Sequence, residues 1–326
     1  MKNVFTFLLL LFSLLCNGQS PKLFTTDKEL SSSLINQIYQ DRNGFIWIAT
    51  EDGLNRYDGA KFTIYKHEPN NEHSLAHNFV RTVFEDSKGH LLIGTYIGIQ
   101  MYDPATDNFT PLTKLEDTGE TLESNINSFI ERKNGEIWVS GNVLYKLDIK
   151  DHLLTVRKVD IAVTSPGSLF EDKKQNVWMA KGEEGVYQLT PDNQLTLHLS
   201  KDNGYVKSIC EDQRGNIYVG SIRKGLFIYD KERKTFVPVD LKEKGELPVC
   251  FLYSGIPNEL YIGTDGKGVA IYNIRTHEIS EYKFDNNYFD SGNSKIHSIL
   301  KDNSGNLWLA VYQKGVCLLY TSPSPR

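Results

Sequence analysis

An all-β fold, a seven-bladed β-propeller of four-stranded antiparallel blades, is what this sequence predicts. Three observations lead there. One cassette recurs along the chain at Trp47, Leu92, Trp138, Trp178, Tyr218, Tyr261 and Trp308, at separations of 45, 46, 40, 40, 43 and 47 residues. Each copy reads as short apolar runs divided by Asp- and Gly-bearing turns. A strand-like segment precedes the first copy, and the last copy stops one strand short. A repeat of 40 to 47 residues made of strands is the signature of blades stacked face on face around an axis.

The elements follow in order around DRNGFIWIATEDGLNRYDG, residues 41–59. A first strand passes through Ile38-Tyr39. Asp41 then opens a turn and Gly44 closes it, as a type I turn favours. Asp86, Asp172, Asp212 and Asp302 repeat the first role, and Gly89, Gly135, Gly215 and Gly305 the second. The second strand, Ile46-Trp47-Ile48-Ala49, is continuously apolar, which indicates cover on both faces. A second Gly follows the anchor: Gly53, Gly98, Gly185, Gly225, Gly268 or Gly315. A third strand runs from Leu54 to Tyr57 and a fourth from Phe62 to Tyr65. The third copy is degenerate, with Arg132 in place of Asp, and the sixth replaces its turn by Ser254-Gly255-Ile256-Pro257-Asn258.

An open ring would expose a blade face and a strand edge to water. Leu23-Phe24-Thr25-Thr26 resembles a fourth strand, so it is expected to complete the seventh blade and fasten the circle. The domain plan is therefore a leader over 1–18, a propeller over 19–320 and a tail over 321–326. The leader sets one Lys before an apolar run from Val4 to Leu15, too short for a comfortable membrane span and right for a secretory signal peptide cleaved after Gly18. Cys16 offers a lipoprotein alternative, against which stands the bulky Leu15 before it. The tail Thr-Ser-Pro-Ser-Pro-Arg cannot continue a central strand, and it is read as truncated or non-native.

Charge and cysteines narrow the function. A formal charge of −5 weighs against nucleic acid as a partner. Cys210, Cys250 and Cys317 remain after leader removal, an odd number without tight spacing, and are read as buried thiols; a Cys210–Cys250 bridge is the alternative. The Asp-x-x-Gly turns supply too few carboxylates for a calcium loop. His67, His73 and His77 have spacings that could feed zinc, but no nearby fourth ligand, so they read as a solvated loop. No esterase elbow, zincin or phosphate-loop motif is present, and no catalytic residue, metal or cofactor is expected.

The frame Asp-x-x-Gly-x-[Ile/Leu]-Trp-[Ile/Val]-[Ala/Gly]-Thr-x-x-Gly-Leu-x-x-Tyr-Asp resembles the two-component regulator propeller repeat. It stands nearly complete in EDSKGHLLIGTYIGIQMYD, EDQRGNIYVGSIRKGLFIYD and KDNSGNLWLAVYQKGVCLLY as well as in the first copy. The resemblance spans about residues 20–320 and implies the start of a hybrid two-component sensor histidine kinase. In that family two propellers and an immunoglobulin-like module lie in the periplasm, followed by a membrane helix, a kinase and a receiver. Many members detect glycan fragments. The resemblance thus implies an oligosaccharide ligand, a second propeller and an immunoglobulin-like module as partners, a homodimer at full length, and no catalysis in this segment. A free-standing exported propeller, binding or acting as a polysaccharide lyase or hydrolase, is the alternative.

Ligand contacts are expected on one face, where loops between second and third strands meet the blade-to-blade connections. Tyr96, Arg223, Asp265 and Tyr312 are the candidates. Tyr rings give sugars an apolar platform, while Arg and Asp hydrogen-bond paired hydroxyls. Each is equally a residue type that a solvated rim would carry.

Overall fold

The computed structural model describes residues 21–199, 204–241, 247–284 and 289–320. The leader read over 1–18 and the tail over 321–326 lie outside the described residues.

Seven antiparallel sheets carry the chain in sequence order. Blade 1 comprises Ile35–Gln40, Ile46–Thr50, Gly53–Tyr57 and Phe62–Tyr65. Blade 2 comprises Val80–Glu85, Leu91–Thr95, Ile99–Asp103 and Asn108–Phe109. Blade 3 has Ser128–Glu131, Ile137–Ser140, Leu144–Lys150 and Leu153–Lys158. Blade 4 has Leu169–Glu171, Val177–Lys181, Gly185–Leu189 and Leu195–Leu199. Blade 5 follows with Val206–Glu211, Ile217–Ser221, Gly225–Asp230 and Thr235–Pro238, and blade 6 with Val249–Ile256, Glu259–Thr264, Val269–Asn273 and Ile279–Glu281. Blade 7 takes Ile296–Lys301, Leu307–Val311 and Gly315–Leu319, and its fourth strand is Lys22–Phe24. The first strand of every blade touches the first strand of the next, and blade 7 touches blade 1, so the ring is closed.

Closure rests on Phe24. Its strand pairs antiparallel with the third strand of blade 7, Leu23 opposite Cys317. The Phe24 ring is fully buried and lies parallel to Trp308 at 5.8 Å. Gly315 makes the fit possible: it sits at φ 114°, and a Cβ there would lie 2.1 Å from the Phe24 carbonyl oxygen.

The turn signature joins blades as well as strands. Asp41 accepts from the backbone N–H of Asn43 at 3.0 Å and Phe45 at 2.9 Å through Oδ1, while Oδ2 takes the indole N–H of Trp47 at 2.7 Å. Asp172 and Asp302 hold Trp178 and Trp308 in the same way, at 2.9 and 2.8 Å. The six-residue spacing from Asp to anchor is the reach of that bond. In the next blade, the Tyr after the second Gly meets the anchor ring edge-on: Tyr102 on Trp47 at 4.9 Å, Tyr229 on Trp178 at 5.0 Å, Tyr57 on Trp308 at 5.7 Å. Each cassette therefore completes its neighbour's core.

A collar of carboxylates adds a second seam. Glu85, Glu131 and Glu171, each ending a first strand, accept from backbone N–H groups of Arg42, Ser87 and Lys133 in the preceding turn at 2.7 Å. Gln40 extends this seam to blade 7 by accepting from the backbone N–H of Asn303. Blade 3 departs from the four-strand expectation, because Lys114–Leu115 adds a fifth strand, parallel to Leu153–Lys158. Cys210, Cys250 and Cys317 are free thiols, with Cys210 and Cys317 pushed up by burial to about 12.

Candidate functional site

One face of the ring is built by two recurrent backbone devices. A Thr ends the second strand and ties its loop. Thr50 Oγ1 donates to the Gly53 carbonyl at 2.8 Å, Thr95 to Gly98 at 3.0 Å and Thr264 to Gly268 at 2.7 Å. The first loop residue then donates its N–H to a carbonyl just before the first strand: Tyr96 to Phe79 at 3.0 Å, Asp265 to Pro248 at 2.8 Å, Tyr312 to Lys295 at 3.0 Å. Three of the four candidate residues are thus set on the rim by main-chain bonds. Arg223 follows Ile222, which makes the equivalent bond to Tyr205.

Asp265 and Tyr312 come together through a residue the sequence did not single out. Lys295 pairs with Asp265 at 2.8 Å and lies over the Tyr312 ring at 5.7 Å. Tyr312 is 38% exposed and its ring stands 5.0 Å from that of His297. Tyr96, 52% exposed, packs near His77 and Phe79 on blade 2. Arg223 reaches back across a blade boundary to Glu183 at 3.3 Å, with both side chains well exposed. The four candidates share a face, but Tyr96 and Arg223 stand on other wedges.

The central channel opens among them. Its mouth is a cavity of about 490 Å³ to which all seven blades contribute. The first strands of blades 1, 2, 5, 6 and 7 each carry a bulge at their start, and the extra residues are Asn36, Arg81, Lys207, Cys250 and His297. A bulge re-aims the side chain that it leaves unpaired, and all five line the mouth. Asn36 and Asn127 stitch blades together through the carbonyls of Val80 and Pro166, at 2.8 and 3.1 Å. Arg81 donates from Nε to the Asn125 side chain at 2.9 Å, and Lys181 pairs with Glu184 at 2.8 Å. Burial, then the nearby Lys207 ammonium, lower the His297 imidazole to about 4, so it is neutral at pH 7. No Asp or Glu is among the described residues that line the mouth.

The mouth was invisible to the motif reading, since its residues precede the cassette in an ordinary-looking strand entry. A signal exists in hindsight. The residue after the first apolar position of the strand is polar or charged in most copies, where a buried strand would favour apolar ones.

The turn carboxylates and loop histidines serve the framework. Both oxygens of Asp41 and Asp172 already accept hydrogen bonds inside the fold. His67 and His73 bond through Nδ1 to the carbonyls of Leu75 and Phe109, and His77 Nδ1 accepts from the Phe79 N–H. Among the described residues no group of three or more His, Cys, Asp or Glu comes together as a metal site.

Comparison with known proteins agrees with this architecture. The two-component regulator propeller family matches residues 29–52, 74–96 and 200–223, which fall in copies one, two and five. Histidine kinase P4 of Formosa agariphila is 37% identical over 83 residues, 23% of this chain and 6% of that kinase. The extracellular domain of a protein assigned as a hybrid two-component system in B. thetaiotaomicron superposes with a TM-score of 0.80 at 21% identity, covering 93% of this chain and 42% of that one. A second such domain from the same organism gives 0.76 at 17% identity, covering 95% and 44%. Virginiamycin B lyase from Staphylococcus aureus gives 0.69 at 13% identity, covering 93% and 99%. At these identities the structural likeness establishes the fold. This chain spans less than half of the two sensor domains.

Proposed function

We propose that this chain, which carries two-component regulator propeller repeats, is an extracytoplasmic ligand-sensing propeller of a hybrid two-component sensor histidine kinase. It senses glycan fragments in the periplasm and passes the signal through domains carried elsewhere in the full-length protein. The repeat itself carries this reading: the family matches three copies of the cassette, and 83 residues of the chain are 37% identical to a histidine kinase. The rim residues Tyr96, Arg223, Asp265 and Tyr312 are the proposed sugar contacts. A second propeller, an immunoglobulin-like module and a second copy of the full-length chain are the proposed protein partners. A ligand can bias such an assembly only by binding one of its two states more tightly.

The test uses the full-length native protein in membranes and follows autophosphorylation while oligosaccharide mixtures are added. Autophosphorylation that changes with one saccharide, and loses that response in Arg223→Ala, supports the reading. A native coding sequence that continues without a membrane span and kinase would defeat it. That result would favour the free-standing propeller, an organisation the single-propeller lyase illustrates.

A further inference from the structure

The charge at the channel mouth runs against the charge of the chain. The sequence carries 41 acidic against 36 basic residues, yet the described lining of the mouth holds Arg81, Lys181 and Lys207 and no acid. Lys181 is neutralised by Glu184. Neither Arg81 nor Lys207 has an ion-pair partner among the described residues, and both are bulge residues aimed by the backbone into the same cavity. Arg81 donates Nε–H to Asn125 and lies over the Phe79 ring at 5.2 Å, contacts that leave the outer N–H groups of its guanidinium for a ligand. Two like charges facing one concave space repel each other and focus a positive potential on it. A bound anion removes that cost.

The rest of the mouth suits a sugar. Tyr205, 42% exposed, offers a ring at the edge, and Asn36, Asn127 and Ser168 add polar groups. A cavity of about 490 Å³ is of the size that small-molecule sites occupy. Resting on the glycan-sensing reading, we infer that the channel mouth binds an acidic saccharide, its carboxylate or sulfate ester held by Arg81 and Lys207. The rim residues then contact the flanking units, and the central cation pair selects acidic over neutral glycans.

Titration of the purified chain with tetragalacturonate, a chondroitin sulfate tetrasaccharide, neutral cellotetraose and inorganic sulfate tests this. At least one acidic tetrasaccharide should bind tenfold or more tighter than cellotetraose, since charge-assisted bonds add about that much each. Its affinity should fall steeply between about 50 and about 500 mM salt as screening tightens. Lys207→Gln, an exposed change away from the core, should cost about tenfold, and Arg81→Gln at least as much. Equal binding of cellotetraose and the acidic sugars, normal affinity in both variants, or no binding of any probe would each overturn the inference. Those results leave the sensor reading to its own phosphorylation test. Binding of sulfate alone, lost in Lys207→Gln, with every saccharide refused, would support the anion site and count against glycan sensing.

Discussion

Blades 1 and 3 bury the same tryptophan with opposite chemistry. In blade 1 the turn begins with Asp41, a buried residue whose carboxylate holds Trp47 from the side of the turn. In blade 3 that position is Arg132, which stacks its guanidinium over the Trp138 ring at 4.4 Å and pairs with Glu171 at 2.9 Å. The indole N–H turns instead to Glu136, two residues before the anchor, at 3.0 Å. Lys146 joins that carboxylate at 2.7 Å. Blade 6 likewise sets a carboxylate, Glu259, two residues before its anchor Tyr261, whose hydroxyl is pushed up by burial and then by that nearby charge. What the fold requires is an acceptor for the anchor's polar atom, not an aspartate at one address. A buried donor left without one costs about 1–3 kcal/mol.

The sharpest way to break this equivalence is to remove each acceptor. Asp41→Ala strands the indole N–H and two backbone N–H groups and should cost roughly 2–4 kcal/mol. Glu136→Ala strands the indole and frees Lys146, which can still reach water, and should cost roughly 1–2 kcal/mol. Urea unfolding of both variants checks the order; a costlier Glu136 would reverse the argument.

A second prediction tests the charge on Glu136 by pH. Burial opposes ionisation of Glu136, but bonds from Lys146, Trp138 and Asn134 outweigh it and hold the carboxyl at about 2, below its ordinary 4.5. A depressed pKa gives stability that is complete above the unfolded value and lost as pH falls through the folded one. The deficit of Glu136→Gln relative to the parent should therefore shrink between about pH 4.5 and about pH 2. A deficit constant across that window would remove the charge from the explanation.

The smallest effect concerns the turn's fourth position. Gly44 and Gly135 sit there at φ 88° and 81°, and blade 4 forces Gln175 to 67°. Gln175→Gly should raise stability by up to about 1 kcal/mol, the left-handed strain relieved less the added freedom of the unfolded chain. A melting curve showing loss would mean that the Gln side chain earns its place.

The repeats were legible because turns and anchors are local: Asp41, Gly44 and Trp47 lie within seven residues. The first strand, the turn and the closing role of Phe24 could all be read from the chain. The seams could not, because Tyr102 meets Trp47 across 55 residues, and Glu85 meets Arg42 across 43, one blade period away. Spacing shows that such residues recur but not that they touch a neighbour. The rim candidates could be read only as residue types on the loops between second and third strands, where the structure places them. Lys295 was missed because its partners Asp265 and Tyr312 lie on other segments of the chain, and Arg81 and Lys207 because only the strand-entry bulge turns them toward the mouth.

The pairing of Lys22–Phe24 with Gly315–Leu319 fixes an order of events in synthesis. Of all the blade strands, Lys22–Phe24 is made before any other, and its partner Gly315–Leu319 is made last. At about 5–20 residues per second that delay is roughly 15–60 seconds. Until the strand Gly315–Leu319 exists, Phe24 has no partner to cover it, so the segment that locks the circle is the last to leave water.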